Sequence, residues 1–241
     1  MLTLMRADLV RLRTLRSAYA VTLIMFAMVA GLTAASLTEA GKEGMTTATQ
    51  LREPLTASVG IMLAVTAALF AAMRVGGEYR YGTLGQRLLA TPRRGRLLAV
   101  TLSVHGAVGL LVGAVALAIG YAAGLPALRA DDLSMDLTAQ IVGAVLLAVV
   151  AFSLIGVSCG VIFRSQPAAV LVIVGTFVAE KVLGMFIGDA SAYLPYGLLT
   201  PLLELEGATI SQGPAALALV ATTVALVALA AVLFSRRDVA S

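Results

Sequence analysis

The residues best suited to chemistry in this sequence lie in one short polar stretch, residues 76–96. Within it, Gly82 can form a turn, and Thr83 is a suitable N-cap for a short helix. Leu84 and Leu88 would share one face of that helix, because residues four apart lie side by side. A short capped helix with exposed leucines in a polar segment indicates a surface for docking another protein.

Charged residues surround this short helix. Glu78 precedes it, and Arg87 is offset from its leucine face. Pro92 disfavours helical geometry at the residue before it, so we expect the helix to end after about two turns. Arg93 and Arg94 follow, and guanidinium groups there can meet phosphates or the carboxylates of a partner. The alternative is an ordinary basic connection between two apolar segments.

A second pair of charged residues, Glu180 and Lys181, interrupts an apolar stretch. Ionised groups near the centre of a membrane are costly and usually face protein or a water-filled cavity. Adjacent helical residues point about 100° apart, so the two side chains cannot both face one partner. Two interpretations follow. The pair lines a translocation path or a subunit interface, or it is structural, with the lysine reaching towards the membrane interface.

Motifs for catalysis by this chain are missing from its sequence. No Gly-x-x-x-x-Gly-Lys-Ser/Thr segment for nucleotide phosphates occurs, and no Gly-x-Ser-x-Gly elbow occurs. His105 is the only histidine and Cys159 the only cysteine, which excludes a two-histidine zinc site and an internal disulfide. We therefore predict no catalytic residue, metal or bound cofactor on this chain, and we expect both residues to serve in packing.

The composition shows which elements must position these residues. Of 241 residues, 60% are hydrophobic and 12% are charged, and the mean hydropathy is +0.98. Soluble domains carry about 25% charged residues, so lipid is the solvent. The sequence therefore predicts an all-α integral membrane protein, a single transmembrane domain over residues 1–241. Its six predicted transmembrane helices, each near the length of about 20 residues that a bilayer requires, are Ala18–Leu37, Leu55–Met73, Leu97–Ile119, Thr138–Phe163, Pro167–Ile187 and Pro214–Phe234.

The basic residues predict the orientation of these helices. Of the 17 Lys and Arg residues, 13 lie on one side of the predicted spans, three lie on the other, and Lys181 lies within a span. Basic residues are retained on the cytoplasmic side, so both termini and the loop at residues 74–96 are predicted to be cytoplasmic. Because the arginines lie in short blocks between apolar runs, the pI of about 9.6 reflects topology, and we expect no nucleic-acid partner.

Two further segments have mixed character. Residues 1–17 carry an apolar stripe at helical spacing flanked by arginines, which predicts an amphipathic elbow helix in the membrane interface. The alternatives are arginines in this segment that only set topology, and a cleaved signal peptide over residues 1–36, although the apolar region of a signal peptide is usually shorter. Residues 188–213 are too broken to cross the membrane but too apolar for a free loop. This predicts a re-entrant hairpin between helices five and six; the alternative is a surface segment anchored by tyrosines.

Residues 78–96 resemble part of the permease subunits of type-2 ABC exporters. The resemblance is carried by Glu-x-x-x-Gly-Thr-Leu, a short leucine-containing helix, and Thr-Pro with basic residues leading into a span. The layout of an elbow and six spans with cytoplasmic termini is also similar. The family's loop holds a coupling helix that docks on a separately encoded ATPase. The docking residues expected here are Glu78, Gly82, Thr83, Leu84, Arg87, Leu88, Pro92, Arg93 and Arg94.

The resemblance implies a function in the bacterial cytoplasmic (inner) membrane. The chain would be the permease of an ATP-driven exporter, paired with a second permease copy, identical or not, and surrounded by lipid. Two copies of an ABC ATPase would bind ATP and Mg²⁺. Because the spans offer few charged sites, we expect an amphipathic or hydrophobic substrate such as a drug, an antibiotic peptide or a lipid. The alternatives are a six-helix secondary transporter, which favours inverted repeats and midplane charges, and a non-transporting membrane scaffold.

Overall fold

The computed structural model describes residues 16–42, 48–90, 93–130 and 137–236. Nearly all of the described residues are helical, and none of them forms a strand. The predicted elbow helix at residues 1–17 lies outside the described residues except for its last two, and Pro92 lies outside them as well.

Six of the described helices are long and apolar enough to cross a membrane, which confirms the all-α, six-span part of the predicted fold class and indicates a multi-pass membrane protein. The second of them is continuous over residues 48–80 but contains a π-helical segment in its middle. In chain order, the spans are Arg16–Lys42; Ala48–Ala57, Ser58–Leu63 and Ala64–Arg80 together; Arg94–Ala130; Ala139–Phe163; Gln166–Ile187; and Gln212–Arg236.

Two of these spans, the second and the third, exceed their predicted lengths by the largest margin. The second span was expected at Leu55–Met73, but the helix also includes the charged residues before it and continues through two glycines to Arg80. The third was expected at Leu97–Ile119 and runs for 37 residues, Arg94–Ala130. An apolar window ends where charge begins, whereas the backbone hydrogen bonds of a helix continue past that point, so hydropathy underestimates such helices.

The fourth span is the core of the bundle. In its most apolar window 72% of the residues are buried, against 11% for the fifth span. It packs most extensively against the second span and also contacts the third, fifth and sixth. A Cβ added at Gly156 would overlap the carbonyl oxygen of Ala68, and one at Gly160 would lie 2.7 Å from the Cβ of Val75. Glycine is therefore what allows the second and fourth spans to approach so closely.

The two ends of the bundle carry different connections. At one end a short helix, Thr83–Ala90, joins the second and third spans, and we call it the loop helix. At the other end residues 188–211, which we call the hairpin, join the fifth and sixth spans. The hairpin contains a 3₁₀ turn, Gly188–Tyr193, and one helical turn, Leu199–Leu202. Four of its leucines are at most 1% exposed: Leu198, Leu199, Leu202 and Leu203. The hairpin is thus packed into the core rather than free.

Candidate functional site

The loop helix forms where the sequence predicts it. The Tyr81 N–H donates to the carbonyl of Gly77 over 2.9 Å at the end of the second span. Gly82 then adopts φ +66°, a left-handed conformation that glycine reaches without strain, and turns the chain. The helix begins at Thr83 and ends at Ala90, which is the predicted length of about two turns.

Leucines attach the loop helix to the bundle. Leu84 is only 5% exposed and lies in an apolar cluster with Val75, Val161 and Phe234, and Leu88 packs against the same cluster. The expectation that Leu84 and Leu88 are exposed is therefore wrong for Leu84 and only partly right for the half-buried Leu88. The physical reason is that the ends of the second, fourth and sixth spans present apolar side chains beneath the loop helix. Its leucine face covers them.

An ion pair fixes the loop helix from its other side. The Arg87 Nη1 lies 2.6 Å and 2.7 Å from the two carboxylate oxygens of Glu78, at the end of the second span. Both side chains are mostly buried, so solvent screens the pair less than it screens an exposed one. Glu78 and Arg87, predicted as docking residues, are placed to position the loop helix. The second span and the loop helix are consequently coupled at both an apolar and a charged contact.

A different leucine faces outward from the loop helix. Leu89 is 88% exposed, and Gln86, three residues before it on the same face, is also exposed. We call these two residues the outer face. Tyr81 and Arg93 are exposed just before and after the loop helix, whereas Arg94 is half-buried. Sequence reasoning omitted Leu89 from the docking set. The Leu88-Leu89 pair was the available signal, because adjacent residues point about 100° apart and only one can face the bundle.

The second predicted site, around Glu180, holds the hairpin. Glu180 is 8% exposed, and its Oε2 accepts hydrogen bonds from the backbone N–H of Tyr196 at 2.8 Å and of Gly197 at 3.1 Å. Its Oε1 is buried and has no hydrogen-bond partner among the described residues. The carboxylate thus satisfies two backbone donors that would otherwise be orphaned in an apolar region.

Tyr196 completes this anchor. Its hydroxyl donates to the carbonyl of Ile173 over 2.8 Å, and its ring centroid lies 5.0 Å from that of Phe152 and 5.2 Å from that of Phe177. Burial raises the pKa of the Tyr196 hydroxyl, so the group remains protonated and continues to donate. A Cβ at Gly197 would overlap the carbonyl oxygen of Ser191, so the turn of the hairpin requires glycine there.

Lys181 does not share the surroundings of Glu180. It is exposed on the outer surface of the fifth span, and its Nζ lies 5.9 Å from the ring centroid of Phe177. That distance allows a cation–π interaction. Of the two interpretations of this pair, the contacts of Glu180 favour the structural one, and Lys181 points away from the bundle.

The second span also contacts the hairpin through charged residues that sequence reasoning did not select. Arg52 is buried, and its Nη2 lies 2.5 Å from the Oε2 of Glu204. The Oε1 of Glu53 accepts a hydrogen bond from the N–H of Glu206 at 2.8 Å. In the sequence, Arg52 had counted only towards topology. Its partner lies 152 residues away, so no local pattern could have identified the pair.

The remaining polar groups that the structure describes form no metal centre. Among residues 16–42, 48–90, 93–130 and 137–236, no three His, Cys, Asp or Glu side chains lie close enough together to hold a metal ion. The Nδ1 of His105 lies 2.9 Å from the carbonyl oxygen of Thr101, and Cys159 is buried. Both residues take part in the packing of the spans.

Comparison with known proteins does not show a family for this chain, so a proposed function has to rest on the fold and on these contacts. No protein-family model matches this chain, and no curated protein matches it. The class that the structure defines is a six-span, all-helical membrane protein. The resemblance to exporter permeases rests on residues 78–96 and on the layout of the spans.

Proposed function

We propose that this chain is the membrane-spanning permease subunit of an ATP-driven exporter of the type-2 ABC class. A separately encoded ATPase binds ATP and Mg²⁺ and docks on the loop helix. The observation that carries the proposal is the geometry of that helix. Leu84 and the Glu78–Arg87 ion pair anchor it, and Leu89 faces outward at 88% exposure.

A single exposed leucine is common on any protein and needs no explanation by itself. Here the leucine lies on a helix of only eight residues that an apolar contact and an ion pair attach to the end of the bundle. A rigid helix face transmits force, whereas a flexible loop dissipates it. The exposed arginines near the helix complement the carboxylates of a partner. These features support docking of a protein that moves the second span.

The second span supplies a path for that movement. It contacts the loop helix at Glu78 and the hairpin at Arg52, so one continuous helical element joins the two ends. Closure of two ATPases on nucleotide would push two permease copies as rigid bodies. The hairpin, re-entrant from the outer side, would cap the end of the translocation path. The substrate would be amphipathic or hydrophobic, and the elbow helix would brace the inner end.

Under this proposal, the loop helix, both termini and the elbow lie in the cytoplasm of a bacterium, and the hairpin lies outside the inner membrane. The 13 basic residues counted on the loop-helix side support that orientation.

Docking at the outer face of the loop helix is tested by Leu89→Arg in the full chain. This variant is co-expressed with the ABC ATPase encoded beside it. A charge placed at the centre of an apolar contact should reduce the amount of co-purified ATPase by about tenfold or more. The matched control is Thr209→Arg, which adds the same charge at an exposed position in the hairpin. It should leave association unchanged. Leu84→Arg is unsuitable, because it places a charge in a buried cluster.

Two results would contradict the docking proposal. One is undiminished ATPase association of Leu89→Arg with unchanged thermal stability. The other is failure of the unaltered chain to bind the ATPase or to stimulate its hydrolysis. The second result would favour a secondary transporter or a scaffold.

A further inference from the structure

A groove opens between the third and sixth spans at the end of the bundle that carries the loop helix. Its volume is about 170 Å³. The third span contributes Gly95, Leu98 and Leu102 to the lining, and the sixth contributes Ala231 and Phe234. The lining is almost wholly apolar, and the space beside Gly95 is open, because no atom outside its chain neighbours and its own helix backbone lies within 4 Å of the position its Cβ would take.

The groove continues deeper along the bundle. Leu102 also lines a larger, more open groove of about 640 Å³ between the third and fourth spans, together with Gly106 and Leu110. The two grooves share Leu102 as a wall residue, and their lining residues on the third span recur at helical spacing, so they form one largely apolar stripe that we call the track. From Gly95 to Leu110 the track follows 15 residues of helix, about 22 Å at 1.5 Å per residue. That length matches a fatty acyl chain lying along the outside of the bundle.

Three arginines lie near the mouth of this track. Arg96 and Arg236 are exposed, and each is the sequence neighbour of a lining residue. The Nη1 of Arg94 lies 3.5 Å from the carbonyl oxygen of Ser235, so this guanidinium bridges the ends of the two spans. Within the part of the chain that the structure describes, Arg96 and Arg236 make no ion pair. An apolar track that ends at a cationic rim complements a molecule with an anionic head and an apolar tail.

We propose that this track binds an anionic phospholipid of the surrounding membrane, with its phosphate against Arg96 and Arg236 and one acyl chain along Leu98, Leu102 and Leu110. Basic pockets between transmembrane helices recognise anionic lipid headgroups in this way. A lipid fits better than a soluble anion, because the track faces outward between spans that are apolar enough to lie in a bilayer. The lipid site is distinct from the outer face of the loop helix, and lipid binding there requires only that the chain is inserted in a membrane.

The test uses the full chain, purified without any ATPase and delipidated. Native mass spectrometry then counts the lipid that is retained after exchange into nanodiscs of phosphatidylglycerol or of phosphatidylcholine. We expect preferential retention of phosphatidylglycerol. Arg96→Gln combined with Arg236→Gln should reduce that retention about tenfold and leave phosphatidylcholine unchanged. Arg129→Gln, at an exposed arginine near the other end of the third span, is the matched control and should have no effect.

A second variant tests the apolar half of the site. Ala231→Phe fills the track from an exposed position and so leaves the core intact. It should reduce retention of phosphatidylglycerol while the unfolding temperature in detergent stays unchanged. Equal retention of both lipids, an equal effect of Arg129→Gln, or full retention by Ala231→Phe would overturn the proposal. The proposal would also be overturned if inorganic phosphate raised the unfolding temperature as much as phosphatidylglycerol does. That result would indicate a site for a free anion. Since no ATPase is present, these outcomes do not depend on docking at the loop helix.

Discussion

Glu180 holds the hairpin in place by accepting hydrogen bonds from its backbone. Two N–H groups of the hairpin turn donate to one of its oxygens, and the Tyr196 hydroxyl donates to a carbonyl of the same span. Backbone donors buried among apolar side chains cost free energy when they are unpaired. The carboxylate offsets that cost for the two N–H groups, so the turn can be buried. The sequence indicated that a charge lay in the fifth span. Its partners could not be predicted, because they depend on the path of the hairpin.

Replacing Glu180 should therefore loosen the hairpin. Glu180→Leu leaves the N–H groups of Tyr196 and Gly197 without an acceptor and should lower the free energy of unfolding by about 1–3 kcal/mol. Glu180→Gln retains one carbonyl acceptor and should cost less. Thermal unfolding of the purified protein in detergent measures both effects.

Lys181→Gln is the control for that series, since Lys181 is exposed and adjacent in sequence. Its unfolding temperature should equal that of the unaltered chain. A loss in Lys181→Gln as large as that in Glu180→Leu would refute the assignment of the anchor to the carboxylate.

The loop helix is an element whose position and length the sequence predicts but whose orientation it does not. Its start after Gly82 and its length of two turns follow from turn and helix preferences, and both were predicted correctly. That Leu88 and Leu89 point in different directions was predictable, but which of the two faces outward was not. The direction of the loop helix depends on where the second span ends, and that helix continues seven residues beyond the expected Met73, to Arg80. Each added residue rotates the chain by about 100° before the turn begins.

The ion pair between the second span and the loop helix should protect the loop helix from local opening. Arg87→Ala removes the partner of Glu78 and should speed amide hydrogen exchange within Thr83–Ala90 about tenfold. The exchanged pair, Glu78→Arg with Arg87→Glu, should restore part of the protection. Arg80→Ala, at an exposed arginine, should not change exchange in this helix. Equal exchange in all four proteins would exclude a stabilising role for the pair.

Close approach of the second and fourth spans gives a second element-level expectation. Gly156→Leu would force a side chain against the backbone of Ala68 and should lower the free energy of unfolding by at least about 1–3 kcal/mol. Gly143→Leu, in the same helix, meets no atom within 4 Å of its Cβ and is the matched control. Chemical or thermal unfolding in detergent separates the two. If Gly143→Leu is the more destabilising, the packing of these spans is not as described.

Considered as a whole, the molecule is a bundle whose number of spans follows from composition but whose arrangement does not. Apolar runs of about 20 residues identify each span, because hydrocarbon thickness sets their length. The sequence does not show which span is central, because helices that face lipid and helices that face protein are both apolar. The fourth and sixth spans have the same hydropathy of 2.7, yet 72% of one window is buried and 22% of the other. Packing partners, including Arg52 with Glu204, appear only in three dimensions.

The proposed orientation can be measured with one cysteine at a time. The native Cys159 is buried, so it should contribute little background labelling. In intact cells, a membrane-impermeant thiol reagent should label Thr209→Cys in the hairpin and should label Arg80→Cys only after permeabilisation. Both positions are exposed. The opposite pattern would place the loop helix outside and would contradict docking of a cytoplasmic ATPase.

The central position of the fourth span has a consequence for biosynthesis. The first and third spans pack against each other, but the second finds its largest partner only in the fourth. During synthesis, the second span thus enters the membrane before its largest packing partner exists. A chain arrested after residue 130 should leave the small-residue face of the second span open to lipid and to membrane proteases. We therefore expect the bundle to become more resistant to membrane proteases once Ala139–Phe163 has inserted.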